Sequence, residues 1–181
     1  MQTPDAPRRG GARPLPACSR LRALWLGALA ALPAGAAPPA DPCRGHGTVL
    51  LVRTASHEMR QCEDGRSRRT WRVALGSGGI DKRREGDAKT PLGSYPLGRP
   101  RPSQQFGIFI PVGYPTPEQA QRGYTGSAIG VHGPARAWRH LGALNTSTDW
   151  TLGCIAVASD ATIEEIARWV RDKQVSRVVL L

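Results

Sequence analysis

No apolar run in this sequence approaches the length of a membrane span. LWLGALAAL, at residues 24–32, falls far short of the roughly 20 residues a transmembrane helix needs, so no permanent membrane span is expected. Acidic side chains are the minority, 14 against 25 Lys and Arg, which leaves a net charge of +11 and favours anionic partners. Aromatic residues are sparse, and there is neither zinc-finger spacing nor an aromatic-rich strand of the single-strand-binding kind, so nucleic acid is not the expected partner. Metal chemistry lacks its signatures too. No Cys-x-x-Cys occurs, and His46, His57, His132 and His140 include no pair at helical spacing. GSGG at residues 76–79 does not open a helix and reads as a tight turn instead of a phosphate cradle. Neither a metal nor a cofactor is expected.

What the N-terminus does have is order. Arg8, Arg9, Arg13, Arg20 and Arg22 precede the apolar run, and Ala34-Gly35-Ala36 follows it as a small-residue exit. That sequence of regions predicts a signal peptide over residues 1–36, with export to a periplasm or cell-wall compartment after cleavage near Ala36. Neither Cys18 nor Cys43 lies in a lipoprotein context. The leader holds five of the basic residues and one of the acidic ones, so the remaining 145 residues carry +7. They suit one domain, residues 48–181, behind an N-terminal linker at 37–47. An exported basic chain meets cell-wall carboxylates and anionic polymers.

Cysteine is scarce, and after cleavage an odd number remains: Cys43, Cys62 and Cys154. Cys43 and Cys62 flank a predicted hairpin, with residues 49–52 on one arm and 58–62 on the other. They read equally as a disulfide or as a mobile thiol beside a small buried hydrophobe. Either way Cys154 is unpaired.

Short apolar segments punctuated by Gly and Pro dominate the rest and predict strands. Trp71, Val73 and Leu75 alternate with Arg72 and Ala74, while Phe106, Ile108, Ile110 and Val112 repeat with period two. Further strands are expected at 128–132, 154–157 and 177–181, and residues 96–102 form a Pro- and Arg-rich loop. A short helix follows Thr116, with Pro117 at its first position. A longer one starts near Ser159 or Asp160 and places Ile163, Ile166, Ala167 and Val170 on one stripe. Glu164 and Glu165 early, and Arg168, Arg171 and Lys173 late, complement its dipole. The fold class is mostly β, with α as the minor part and one longer helix near the C-terminus.

A thiol needs a base or a positive neighbour to become a nucleophile. Among the histidines, His46 lies in a loose N-terminal segment, His57 at a hairpin tip and His140 in a surface loop. His132 ends the apolar strand AIGV before Gly133-Pro134, which delivers it to a rim. Alone, each of His132 and Cys154 reads as an ordinary core residue.

Together they resemble something specific. GVHGP followed by DWTLGCIAVAS is similar to the YkuD-type L,D-transpeptidase catalytic domain, whose signature is a His-Gly step and then [Ser/Thr]-x-Gly-Cys, here in a DWTxGCIA variant. GDAKTPLGSY at residues 86–95 resembles that family's Thr-Pro-x-Gly turn. Papain-like hydrolases carry the cysteine before the histidine, the reverse of the order here. The resemblance implies a single β-sandwich or barrel-like catalytic domain with Cys154 as nucleophile and His132 as general base and acid. It implies an oxyanion hole from the backbone N–H groups of Leu152, Gly153 and Cys154, with Gly133 orienting His132 and Thr151 holding the loop. Tyr95, Tyr114 and the Arg99 and Arg101 pair are candidate cleft residues. Many family members have His where this chain has Leu152, and Arg or Asn where it has Ala156, so substrate positioning must fall to other residues. Asp149 is expected to make a turn hydrogen bond and Trp150 to anchor the loop.

The implied activity is peptidoglycan acyl transfer: a cysteine thioester forms at the bond between the L-centre of a diamino acid and a terminal D-residue of a stem peptide. The acceptor is a stem-peptide amine, which makes a cross-link, a lipoprotein lysine, which anchors that protein to the wall, or water. Water defines the alternative, a hydrolase that trims stems or releases wall-linked lipoprotein from the same site. A third reading is a non-catalytic wall-binding module.

Overall fold

The computed structural model describes residues 40–181, so the expected signal peptide at 1–36 lies outside the described residues. Nine strands form one curled sheet. They are β1 (Val49–Arg53), β2 (Glu58–Glu63), β3 (Arg66–Ala74), β4 (Gly93–Pro96), β5 (Arg101–Ser103), β6 (Gly107–Pro111), β7 (Gly130–His132), β8 (Ile155–Val157) and β9 (Arg177–Leu180). Their spatial order is β4-β9-β1-β2-β3-β8-β7-β6-β5. The sheet curls far enough that Leu97, just past β4, bridges Val112, just past β6. The architecture is mostly β and barrel-like, with the longer helix near the C-terminus.

Among the described residues two α-helices accompany the sheet. Thr116 caps α1 (Pro117–Gln121) in a capping box with Gln119, and Ser159 caps α2 (Asp160–Asp172) through its hydroxyl. The α2 stripe of Ile163, Ile166, Ala167 and Val170 is buried against Val73, Ile110, Val131 and Ile155 in the main core. A smaller cluster of Cys43, Val49, Leu51, Cys62 and Val179 lies on the other face of β1 and β2. There Cys43 and Cys62 form a disulfide, which ties the turn before β1 to β2.

Alternation in the middle strands positions the site. In β7 and β8, Val131 and Ile155 join the core, whereas His132 and Ala156 leave the opposite face. An irregular segment of 3-10 turns, Arg136–Thr146, covers that face where a surface loop around His140 was expected. Asn145 Nδ2 donates to Trp138 O and Ala158 O, and Arg72 Nε donates to Thr146 O. Arg139 is paired with Asp160 at 2.9 Å.

Two sequence expectations need correction. The Pro- and Arg-rich stretch is no plain loop, because Arg101–Ser103 pairs with β6 as the sheet's edge strand. Phe106 does not share a face with Ile110: Gly107 takes a φ of 73°, which breaks the period of two and folds the Phe106 ring over His132.

Candidate active site

His132 and Cys154 line the same cavity, of about 700 Å³. The cavity exists because two adjacent parallel strands deliver the side chains to one face. His132 of β7 is registered with Ala156 of β8, and Cys154 lies two residues before Ala156 on the same chain. The small methyl of Ala156 leaves the space above it to the imidazole.

The histidine lies on the cavity floor, not at the rim that its place beside Gly133-Pro134 suggested, and is only 1% exposed. Phe106 stacks on it at 3.7 Å between centroids, and Trp150 meets it edge-on at 5.8 Å. His132 Nδ1 lies 2.7 Å from Gly133 O. A carbonyl only accepts, so Nδ1 carries the proton and Nε2 keeps its lone pair. Burial among aromatic rings pushes the imidazole down to about 4, with the Gly133 carbonyl opposing only in part. At neutral pH the ring is an uncharged base.

Cys154 is half-buried and is the one free cysteine among the described residues. Its thiol donates to Ala128 O at 3.4 Å. Burial pushes the thiol up, while the backbone N–H of Gly130 and the charge of Lys82 pull the other way. Lys82 is itself buried and donates to Asp87 Oδ1 at 2.7 Å and Arg84 O at 2.9 Å.

The turn into Cys154 is over-determined. Thr151 Oγ1 donates to Cys154 O at 2.8 Å and accepts the Gly153 N–H at 3.0 Å. Gly153 has φ 125°, and a Cβ there would meet Lys89 O at 2.4 Å. Because the Gly153 N–H is committed to Thr151, it is not available as the third oxyanion donor expected from sequence. Outside the strand ladder, the Leu152 and Cys154 N–H groups find no acceptor among the described residues. Leu152 is 79% exposed at the mouth.

The remaining sequence candidates divide sharply. Asp149 Oδ1 accepts the Leu75 N–H at 2.8 Å, and its Oδ2 lies 3.0 Å from His57 Nε2, so this carboxylate ties the loop to the β1–β2 hairpin. Trp150 Nε1 donates to Asn145 O while its ring packs on Trp138. Tyr95 and Tyr114 are not in the cavity. Both are buried, with their hydroxyls bonded to Leu92 O and Lys82 O. Arg99 lines a different cavity, beside Val170 and Arg171 of α2. Arg101 does line the site. The Trp138 ring, which sequence reasoning missed, walls the cavity too; its place depends on long-range contacts of the covering segment that no local motif signals. Among the described residues no three His, Cys, Asp or Glu side chains cluster as a metal site, and no helix is long and apolar enough to cross a membrane.

This geometry coincides with a family match. The family model YkuD, the L,D-transpeptidase catalytic domain, matches residues 47–180. Among solved structures, the helical cell shape determining protein Pgp2 of Campylobacter jejuni shares 30% identity at a TM-score of 0.59, over 73% of this chain and 46% of that one. Bd1075 of Bdellovibrio bacteriovorus shares 18% identity at a TM-score of 0.51, over 74% of this chain and 47% of that one. The chain thus spans about half the length of each. No curated protein matches it.

Proposed function

The chain belongs to the L,D-transpeptidase catalytic-domain family, and from that membership we propose that it is an exported cysteine acyltransferase acting on peptidoglycan stem peptides. The observation that carries this reading is the delivery of His132 and Cys154 to one cavity from adjacent strands.

In the proposed reaction, Nε2 of His132 removes the Cys154 proton as the sulfur attacks the carbonyl carbon at the L-centre of the diamino acid. The carbonyl oxygen becomes an anion, held by the N–H groups of Leu152 and Cys154. Collapse breaks the C–N bond, the imidazolium gives its proton to the departing amine of the D-residue, and a thioester remains. An acceptor amine then attacks the thioester, His132 takes its proton and returns it to the sulfur, and the new amide leaves. The low pKa of His132 suits the acid half of this cycle. An imidazole that resists protonation releases its proton readily, so the leaving amine departs neutral.

The basic and then apolar leader supports export. The likeness to a helical cell shape determining protein supports a role in wall remodelling that shapes the cell.

The test is an intact-mass measurement on purified protein with a carbapenem, an acyl-donor mimic. One covalent adduct is expected, absent from Cys154→Ala. No adduct on a correctly folded protein refutes the assignment and favours a wall-binding module. Disaccharide tetrapeptide supplied with a free D-amino acid should give a new amide, and a shortened peptide alone marks a hydrolase.

A further inference from the structure

The sheet face that holds His132 continues past it to a charge. Arg101 of β5 is registered with Phe109 of β6, and Phe109 with His132 of β7, so the three side chains leave one face as a cross-strand row. The Arg101 guanidinium lies over the Phe109 ring, 5.1 Å from its centroid. That ring is nearly parallel to His132, at 6.2 Å. Stacking holds a guanidinium flat against an apolar wall while its N–H edges stay open to a planar anion. Among the described residues no carboxylate pairs with Arg101. No acidic side chain among the described residues lines the cavity, and Arg101 is the one Lys or Arg among them that does. On the far side of His132 the same row runs through Ala156, where the resembled family often places Arg or Asn, to Ala74 of β3, and both are fully buried. The cation of this row therefore stands at its β5 end.

We propose that Arg101 binds a carboxylate of the acyl-donor peptide and so selects donors in which that group is free; this rests on the acyl-transfer reading of Cys154. Two strand spacings, about 10 Å of backbone, separate Arg101 from His132, and the long arginine side chain reaches back across much of that gap. A carboxylate on the guanidinium thus lies only a few bonds from the carbonyl under attack, on the same peptide. A stem-peptide donor offers two such groups: the α-carboxylate of the leaving D-residue, and the carboxylate at the far centre of the diamino acid.

The experiment compares acylation kinetics of wild type, Arg101→Gln and Arg101→Lys on three tetrapeptide donors: the free acid, the terminal carboxamide, and the carboxamide at the far centre of the diamino acid. Amidating the bound carboxylate should lower wild-type kcat/KM about 10- to 100-fold, mainly through KM. Arg101→Gln should lose a similar factor on the free acid and become indifferent to that one amidation, which identifies the carboxylate bound. Arg101→Lys should recover part of the loss, keeping the charge without the planar fork. An unchanged rate for Arg101→Gln, or a full wild-type amidation penalty in it for both carboxamides, overturns the assignment to Arg101 alone. If wild type is acylated by none of the donors while a small alkylating reagent still labels Cys154, acyl transfer itself fails and takes this assignment with it.

Discussion

His132 and Cys154, the proposed base and nucleophile, are both held in their neutral forms, and that sets what each can be asked to do. Among the described residues Phe106, Phe109 and Trp150 surround His132 and no charge shifts it, and burial pushes its pKa down to about 4. Burial likewise raises the Cys154 thiol. The resting pair is thiol and imidazole, not thiolate and imidazolium, so proton transfer belongs to the attack step. The acid limb of carbapenem acylation should therefore lie near pH 4, since only there does the base become protonated; a limb near 6.5 contradicts the burial. Stability follows the same sign. Unfolded, the histidine binds a proton below about 6.5, whereas folded it resists until about 4, so its contribution is complete above the first value and lost on the way down to the second. The loss is about 3 kcal/mol at most. His132→Phe keeps the stack without a titrating group. Urea unfolding at pH 7 and pH 4.5 should show that much less acid sensitivity in the variant, and its acylation should fall by about 100-fold or more. Gly153→Ala attacks the site through the backbone. The new methyl meets Lys89 O at 2.4 Å on a φ of 125°, so the turn must move. Carbapenem labelling should collapse, while a small thiol reagent still finds the sulfur.

At the scale of elements, the sequence was legible wherever pairing is local. The β1–β2 hairpin, the Thr116 and Ser159 caps and the α2 stripe all follow from residues a few positions apart. The candidate pair was legible because His-Gly and Thr-x-Gly-Cys are short signals, and the structure puts His132 and Cys154 in one cavity. Its walls were not. Arg99 and Arg101 are equivalent in sequence, and only the pairing of β5 with β6 sends the second to the cavity. The burial of His132 depends on Phe106, which turns inward only because Gly107 breaks the alternation. The covering segment Arg136–Thr146 is a run of 3-10 turns broken at Gly142, and long-range hydrogen bonds from Arg72 and to Ala158 place it, which no local pattern announces. Asn145 is the centre of these: it is 3% exposed, bonds Trp138 O and Ala158 O, and its own carbonyl accepts from Trp150. Asn145→Ala should cost about 1–3 kcal/mol by stranding buried carbonyls. Hydrogen exchange should speed up selectively over 136–146, and KM for a stem peptide should rise. Unchanged exchange there means the segment is held by its rings instead.

Across the whole molecule the site and the staple share the sheet face turned away from the main core but sit on different strands, with β3 between them. Cys43 and Cys62 are fully buried in the smaller cluster with Val49, Leu51 and Val179 at β1, β2 and β9, while the cavity opens farther along the sheet, beyond β3. The C-terminal strand β9 lies between β1 and β4, so the disulfide locks the neighbourhood into which the end of the chain must insert. Closing a loop over a sequence separation of 19 stabilises by about 3 kcal/mol through lost freedom of the unfolded chain. The double variant Cys43→Ala/Cys62→Ala should lose about that much in chemical denaturation. Its carbapenem labelling rate per folded molecule should stay at the wild-type value, because no cavity residue touches either cysteine. Labelling that falls while near-ultraviolet dichroism still reports a packed core would show that the two regions of the sheet are coupled, and the separation of staple from site would be wrong.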